Sequence, residues 1–370
     1  MGKASRLNIN NLLFSIFWWV LQKVSPKQGE QMLYWGLKSG AFPNRSVTDP
    51  VLQTTVMGMQ FKTPIGIGSG FDIRANVIDD LIFMGAGFGE FGPYTLERET
   101  PTTEVYYLRK DRAIITQSLG CTNAGVLNIL PRLINRRYLP NIIGVNLTST
   151  AEFEGENVKL GRLMTYAEEF DMMTRKVAPY CDSITLDFSF PEVELAHKIT
   201  DASFFVPLVK GVRLAAQEAA PIHPPKIMVK LPLGLTALEL PLVCQNLMSA
   251  AVDAVIVAGP VYLSQTGLKL SSNHRIGMLA GAPAKRYVSE MVSKVYQFTN
   301  HSIPIIACGG VFSGQDAYEH IAAGASLVQV GTVLRFEGPN AITKINKELS
   351  YILQRKGLKS VSEAVGIDFY

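Results

Sequence analysis

The sequence predicts a (β/α)8 TIM barrel, because eight short apolar runs alternate with helical patterns along most of its 370 residues. The runs are rich in β-branched residues and apolar on both faces, as in a buried parallel sheet. Each run ends in glycine or polar residues, which would meet at the end of the barrel where such folds hold ligands. The predicted strands are Pro64–Gly70, Gly87–Thr95, Asn141–Thr148, Ser183–Phe190, Lys226–Pro232, Ala254–Pro260, Ile303–Gly310 and Leu327–Thr332.

Helical patterns lie between most of these runs, for instance at Gly161–Pro179, Ser203–Ala219 and Ala284–Asn300. A doubly wound open sheet is the alternative, but the glycines from Gly66 to Gly70 lack the GxGxxG spacing of that fold. We therefore assign residues 49–370 to a barrel domain and residues 1–48 to an amino-terminal helical extension. The segment Glu97–Leu119 is predicted to be an insertion over the site, containing a short strand.

The amino-terminal extension carries an apolar run, Leu12–Leu21, with adjacent tryptophans and flanking lysines. About ten residues are too few to span a bilayer, which needs roughly 20. Paired tryptophans beside lysines suit an element at the membrane interface. A signal peptide is disfavoured, because no small-residue cleavage site follows the run. The extension is thus expected to contact a membrane surface or a protein partner, or to pack on its own barrel.

Composition excludes several classes of protein. The net charge is +4 without long basic runs, which argues against nucleic-acid binding. Four scattered cysteines, with no CxxC pair, suit a reducing compartment and predict no disulfide framework. The five histidines form no cluster with ligand spacing, so no metal site is expected.

The stretch Ile303–Pro339 is the most informative part of the chain. It has the pattern strand, glycine turn, helix, strand, glycine turn, helix. Gly309 and Gly310 follow the first strand, and Gly331 and Thr332 follow the second. Two adjacent parallel strands ending in bare backbone amides form an anion site, the phosphate cradle of many β/α barrels. The stretch therefore predicts a bound phosphate, most simply that of a cofactor.

The other strand ends supply candidate site residues. They are Ser69, Gly70, Asp72, Asn146, Thr148, Asp187, Ser189, Phe190 and Lys230. Lys230 lies in an otherwise apolar strand, and a buried lysine needs a partner. A flavin ring edge and the carboxylate of Asp187 are the two alternatives. Glu192, Glu194 and His197 could do acid–base work, or could belong to a solvated loop before a helix.

From about Glu30 onward the chain closely resembles the membrane-associated, quinone-linked (class 2) dihydroorotate dehydrogenases. The resemblance is carried by Leu33–Lys38, Gly70–Asp72, Val361–Gly366 and above all Ile303–Pro339. It implies an FMN-containing barrel, a quinone tunnel built by membrane-lying helices, a serine base and flavin reoxidation by ubiquinone. The FMN-binding positions it implies here are Gly70, Asn146, Lys230, Gly281, Gly309, Gly310, Gly331 and Thr332.

Several functional positions of that family are altered in this sequence. The lysine that binds the orotate carboxylate is Ile73, and the serine base is Phe190. The next substrate-binding asparagine is Glu192. The remaining changes, in the substrate, ring-side and quinone regions, are Gln117–Thr122, Asp187, Ala258–Val261, Ala280, Tyr107 and Gly331. The phosphate side of the FMN site is thus expected to be retained and its ring side altered.

Two functions follow from these observations. The leading hypothesis is a catalytically degenerate relative that serves as an accessory or structural subunit in an assembly at the mitochondrial inner membrane. The alternative is an active FMN-dependent, quinone-linked oxidoreductase acting on dihydroorotate or a related substrate. A positioned base is worth roughly 10²–10⁴ in rate, so loss of the base and the lysine weighs against dihydroorotate itself.

Overall fold

Parallel strands of the computed structural model close into a barrel, as predicted. The structure describes residues 26–39, 49–101, 103–118, 121–136, 141–149, 156–159, 162–190, 194–269 and 277–369. In chain order the strands are β1 (Thr54–Val56), β2 (Met59–Phe61), β3 (Ile65–Ile67), β4 (Phe88–Tyr94), β5 (Thr103–Leu108), β6 (Ala113–Ser118), β7 (Ile142–Leu147), β8 (Glu156–Lys159), β9 (Arg162–Thr165), β10 (Ser183–Asp187), β11 (Lys226–Leu231), β12 (Ala254–Ala258), β13 (Val261–Tyr262), β14 (Met278–Gly281), β15 (Ile305–Cys308) and β16 (Leu327–Val330). The closed barrel has the order β10-β11-β12-β15-β16-β3-β4-β7.

All eight predicted barrel strands are present, and each is shorter than its predicted run. Every residue of β4, β10, β12 and β16 is buried, which explains their continuous apolar sequences. The strand predicted from Ile303 begins at Ile305, because Pro304 has no N–H to give to the ladder. The strand predicted to reach Phe190 ends at Asp187.

Helices cover the outside of the barrel. They are α1 (Pro26–Lys38), α2 (Ile78–Phe83), α3 (Val126–Ile134), α4 (Tyr166–Val177), α5 (Glu194–His197), α6 (Ala202–Ala219), α7 (Glu239–Ser249), α8 (Leu263–Thr266), α9 (Lys285–Phe298), α10 (Gly314–Ala322), α11 (Thr332–Glu337) and α12 (Asn340–Arg355). Side-chain caps fix several starts. Thr165 and Glu168 form a capping box on α4, and Ser313 caps α10.

The two ends of the barrel are closed differently. At the amino-terminal end, the hairpin β1–β2 packs an apolar cluster that includes Phe61, Phe88 and Met228. At the carboxyl end, the predicted insertion forms β5 and β6, which join β14 and β13 in a four-stranded sheet. The site-bearing end is therefore bordered by a sheet that is separate from the barrel.

The described part of the amino-terminal extension is α1. Leu33 and Leu37 are buried, whereas Trp35 is 67% exposed. The Tyr34 hydroxyl donates to the carbonyl oxygen of Phe71 at 3.0 Å. Arg335 of α11 donates to the same oxygen at 3.3 Å, and its guanidinium lies 4.7 Å from the centre of the Phe71 ring.

No helix within the described ranges is both long and apolar enough to cross a membrane. The apolar run Leu12–Leu21 and the proposed domain boundary after residue 48 lie outside the described residues, so both remain predictions.

Candidate active site

A buried polar cluster lies inside the carboxyl end of the barrel. Lys230 on β11 donates to the Ser69 hydroxyl at 2.6 Å. Its ammonium nitrogen lies 3.5 Å from Glu90 Oε2 and 3.9 Å from Asp187 Oδ2. The amide of Asn146 donates to Glu90 Oε1 at 2.9 Å and to Asp187 Oδ2 at 2.7 Å. Strands β4, β7, β10 and β11 thus bring two carboxylates, one ammonium group and one amide together.

Electrostatics in this cluster follow from burial and from the neighbouring charges. Burial opposes the charged form of Lys230, but the carboxylates of Glu90 and Asp187 outweigh it and hold the lysine pKa above its ordinary value. Burial raises the pKa of Asp187, against the opposing effects of Lys230 and Ser189. Burial also raises the pKa of the nearby Cys308 thiol to about 11. Cys308 is therefore a neutral thiol at physiological pH.

Lys230 pairs with the carboxylate of Asp187, one of the two partners that the sequence suggested. The nearest carboxylate, however, is that of Glu90. The sequence analysis did not select Glu90, the nearer carboxylate. The same feature that drew attention to Lys230 is present at Glu90, which is a charged residue inside the apolar strand Phe88–Tyr94. Glu90 lies in the middle of the predicted strand, whereas the candidates were taken from strand ends.

Some buried polar atoms of this interior are left without hydrogen-bond partners among the described residues. They include Asn146 Oδ1 and both terminal atoms of the Gln329 side chain. A buried acceptor without a donor is costly. Asn146 Oδ1 could therefore accept an N–H group from a ligand such as a flavin ring.

The two glycine turns of the predicted phosphate cradle lie where β15 and β16 end side by side. Gly309 and Gly310 follow β15 with φ of +133° and +77°, a region that favours glycine. A Cβ on Gly310 would lie 2.4 Å from the backbone of Lys285, so no larger residue fits there. A Cβ on Gly331 would meet nothing within 4 Å. Open space therefore adjoins the turn after β16, where Thr332 begins α11.

Side chains of α9 and α10 hold the turn after β15. Asp316 accepts from the Phe312 amide at 3.0 Å and from the Ser313 hydroxyl at 2.8 Å. Lys285 bridges Asp316 at 2.9 Å and Glu319 at 2.8 Å. The backbone after β15 is thus fixed before any ligand binds, as a preorganised anion site requires.

The remaining predicted glycines have different surroundings. Gly70 is exposed with a φ of +93°, and its amide donates to the Gly92 carbonyl at 2.7 Å. A Cβ on Gly281 would lie 2.2 Å from the Arg112 carbonyl oxygen. Close packing of β14 on the insertion therefore accounts for Gly281, and its role in cofactor binding stays a prediction.

Three predicted polar candidates have structural partners. Asp72 accepts from the Val77 amide at 2.7 Å and so shapes the loop after β3. Thr148 donates to the Asp187 carbonyl at 3.2 Å. The Ser189 hydroxyl donates to Asp187 Oδ1 at 2.5 Å. Ser189 is thus committed to the carboxylate and is poorly placed to act as a base.

The altered family positions and the acid–base candidates have varied surroundings. Phe190 is half-buried and packs against the main apolar core, and Ile73 is half-buried. Tyr107 of the insertion lies beside α11, with its ring centre 6.0 Å from that of Phe336. Glu192 lies outside the described residues. Glu194 and His197 belong to the short helix α5, where His197 is exposed.

No group of histidine, cysteine, aspartate and glutamate side chains in the described segments could hold a metal ion. The nitrogen and oxygen groups at the barrel's carboxyl end suit an organic, phosphorylated ligand. The backbone amides of the glycine turns would receive its anion, and Lys230 and Asn146 would receive its polar edge.

Comparison with known proteins gives a consistent result. The family model described as dihydroorotate dehydrogenase matches residues 51–353. A curated relative from Rhodospirillum rubrum, named dihydroorotate dehydrogenase (quinone), is 26% identical over 358 residues, covering 96% of this chain and 94% of the relative. The mitochondrial dihydroorotate dehydrogenase (quinone) of Mus musculus is 27% identical over 351 residues, covering 93% and 87%.

Solved structures show the same likeness. The crystal structure of DHODH from Eimeria tenella in complex with ferulenol superposes with a TM-score of 0.82 at 26% sequence identity. The superposition covers 93% of this chain and 96% of that one. The similarity therefore extends over nearly the whole chain, beyond the stretch that contains the phosphate cradle.

Proposed function

Since the chain belongs to the dihydroorotate dehydrogenase family, we propose that it is an FMN-dependent, quinone-linked oxidoreductase whose substrate is related to dihydroorotate but differs from it. The observation that carries this proposal is the placement of the glycine cradle and the Lys230 cluster at the same end of one barrel. Gly309, Gly310, Gly331 and Thr332 would hold the FMN phosphate. Lys230 and Asn146 would hold the polar edge of the ring.

FMN supplies two-electron redox chemistry when bound, and the chain's own residues set its surroundings. The ammonium group of Lys230 favours negative charge on the ligand edge beside it. The backbone amides after β15 would receive the phosphate in a preorganised geometry, because the side chains of α9 and α10 already fix that turn.

Two positions separate the substrate from dihydroorotate. Ile73 has no charge to pair with a substrate carboxylate, and a charged hydrogen bond of that kind is worth about 1.5–3 kcal/mol. Phe190 cannot accept a proton, and a positioned base is worth roughly 10²–10⁴ in rate. A neutral or cationic substrate suits this site better.

The test is the visible absorbance of the purified protein, followed by anaerobic addition of dihydroorotate and then of a quinone. We expect a flavin spectrum that dihydroorotate does not bleach, and a chemically reduced flavin that a ubiquinone analogue reoxidises. A colourless protein that does not take up added FMN would overturn the proposal. Rapid bleaching by dihydroorotate would show that the proposed difference in substrate is wrong.

A second candidate function is favoured by the loss of two catalytic groups, at Ile73 and Phe190. As this alternative we propose that the protein is a catalytically degenerate barrel. It would serve as an accessory subunit of an assembly at the mitochondrial inner membrane. The exposed Trp35 on α1 supports a surface that partners or lipids cover. Purification from native membranes should then recover stable protein partners, and a free, flavin-loaded monomer would contradict it.

A further inference from the structure

His320 connects the outer helices to the phosphate cradle. It lies on α10 and is fully buried. Its Nε2 lies 2.9 Å from the carbonyl oxygen of Gly309. Its Nδ1 lies 2.9 Å from the Ser289 hydroxyl on α9. The imidazole thus bridges two helices and the first residue of the turn after β15.

The chemistry of the two partners determines the tautomer. A carbonyl oxygen can only accept, so Nε2 must carry the hydrogen and donate to Gly309. In the neutral ring Nδ1 is then an acceptor, and the Ser289 hydroxyl donates to it. Burial lowers the pKa of His320, which keeps the ring neutral at physiological pH. Both nitrogens are therefore satisfied in one fixed orientation.

This hydrogen bond fixes the peptide plane of the cradle. The bond between Gly309 and Gly310 is trans, so the Gly310 N–H points opposite to the Gly309 carbonyl. Because that carbonyl points toward His320, the N–H points away from α10. Contact with the backbone of Lys285 leaves little room for Gly310 to turn.

We propose that His320 is a positioning residue for anion binding, which aims the Gly310 amide into the cradle by holding the Gly309 carbonyl. In the FMN enzyme proposed above, on which this inference rests, the anion is the cofactor's phosphate. His320 does not touch the ligand itself. Its effect is to remove a rotation of the Gly309–Gly310 peptide that would turn the donor away.

The experiment compares FMN with riboflavin, which lacks the phosphate, by fluorescence titration of the flavin-free full chain. His320→Leu removes the donor and keeps an apolar side chain of moderate size. His320→Gln retains an N–H at a similar distance, and Ile321→Ala on the same helix is the matched control for loss of packing. We expect His320→Leu to weaken FMN binding about tenfold or more, with riboflavin binding changed less than about twofold. His320→Gln should recover most of the difference.

A purely structural role predicts another pattern. His320→Leu would then weaken both flavins equally, as Ile321→Ala does, and this result would overturn the proposal. Ser289→Ala, which leaves the imidazole in place, should show a smaller loss selective for FMN. An equal loss for both flavins in that variant would also contradict it.

A second measurement separates this inference from the proposed enzyme. Inorganic phosphate should raise the melting temperature of the wild type relative to chloride at equal ionic strength, but not that of His320→Leu. If the wild type binds no FMN and still shows this difference, the enzyme proposal fails and the role of His320 stands. If phosphate protects both proteins equally, or neither, the role of His320 is overturned.

Discussion

Replacing Lys230 by methionine removes the ammonium group from between two buried carboxylates. The side chains of Lys230, Glu90 and Asp187 are 5%, 1% and 1% exposed. Methionine keeps most of the apolar stem, so the substitution removes charge with little loss of volume. Asp187 and Glu90 would then have to remain charged without the ammonium group, or take up protons.

The expected cost follows from that geometry. Breaking a buried ion pair by removing one partner costs about 3–5 kcal/mol, because an uncompensated charge is left behind. For a chain of 370 residues the loss corresponds to a fall in melting temperature of roughly 4–6 °C. The Asn146 amide softens the effect, since it still donates to both carboxylates.

Thermal unfolding of the flavin-free protein at neutral pH measures this cost. Lys226→Met is the matched control, because Lys226 begins the same strand and is partly exposed; it should shift the melting temperature by less than about 2 °C. Adding Asp187→Asn to Lys230→Met should recover part of the loss, since one unpaired carboxylate is removed. A Lys230→Met protein as stable as Lys226→Met would refute the reasoning.

Other substitutions test the cradle, the substrate site and the buried histidine. Gly310→Ala should destabilise the chain by about 1–3 kcal/mol from overpacking, with a further cost from backbone strain. Gly331→Ala, whose Cβ meets nothing within 4 Å, should melt like the wild type but lose more affinity for FMN than for riboflavin. Equal melting temperatures for the two variants would contradict this. Ile73→Lys with Phe190→Ser should raise the rate of flavin bleaching by dihydroorotate at least about 100-fold, and an unchanged rate would show that other groups limit the reaction. Burial holds the pKa of His320 below its ordinary value of 6.5, so the unfolded chain binds that proton more readily and the free energy of unfolding should fall as the pH drops below 6.5. Urea unfolding of His320→Gln should show a flatter pH dependence, and an identical one would be evidence against the buried neutral ring.

The barrel was predictable because its signal is local. An all-apolar run such as Ala254–Ala258 is buried on both faces, and the glycine turns mark where the strands stop. Strand lengths were overestimated, since apolar residues beyond the ladder, such as Phe188, are buried without extending it. The sequence could not show that β6 pairs with β14, because even partners such as Met278 and Thr116 lie 162 positions apart in the chain.

The candidate site was predictable in part. Lys230 was identified from its charge in an apolar strand and Asn146 from its place at a strand end, and the structure brings the two into one buried cluster. Glu90 was missed because it lies within a strand, and His320 because a lone histidine on a helix gives no sign of its partners. The partners of both residues come from elements distant in the chain, and a single sequence does not contain those distances.

The carbonyl of Phe71 accepts from Tyr34 of α1 and from Arg335 of α11, which begins at the phosphate cradle. Helix α1 of the extension and helix α11 beside the ligand site therefore share one hydrogen-bond acceptor. If a molecule bound to the extension displaced Tyr34, Arg335 would lose a competitor for this oxygen. By thermodynamic reciprocity, a ligand that ordered α11 would then change the affinity of the extension for that molecule. Ligand binding in the barrel would then alter the affinity of α1 for the molecule that covers it, even in a protein that turns over no substrate.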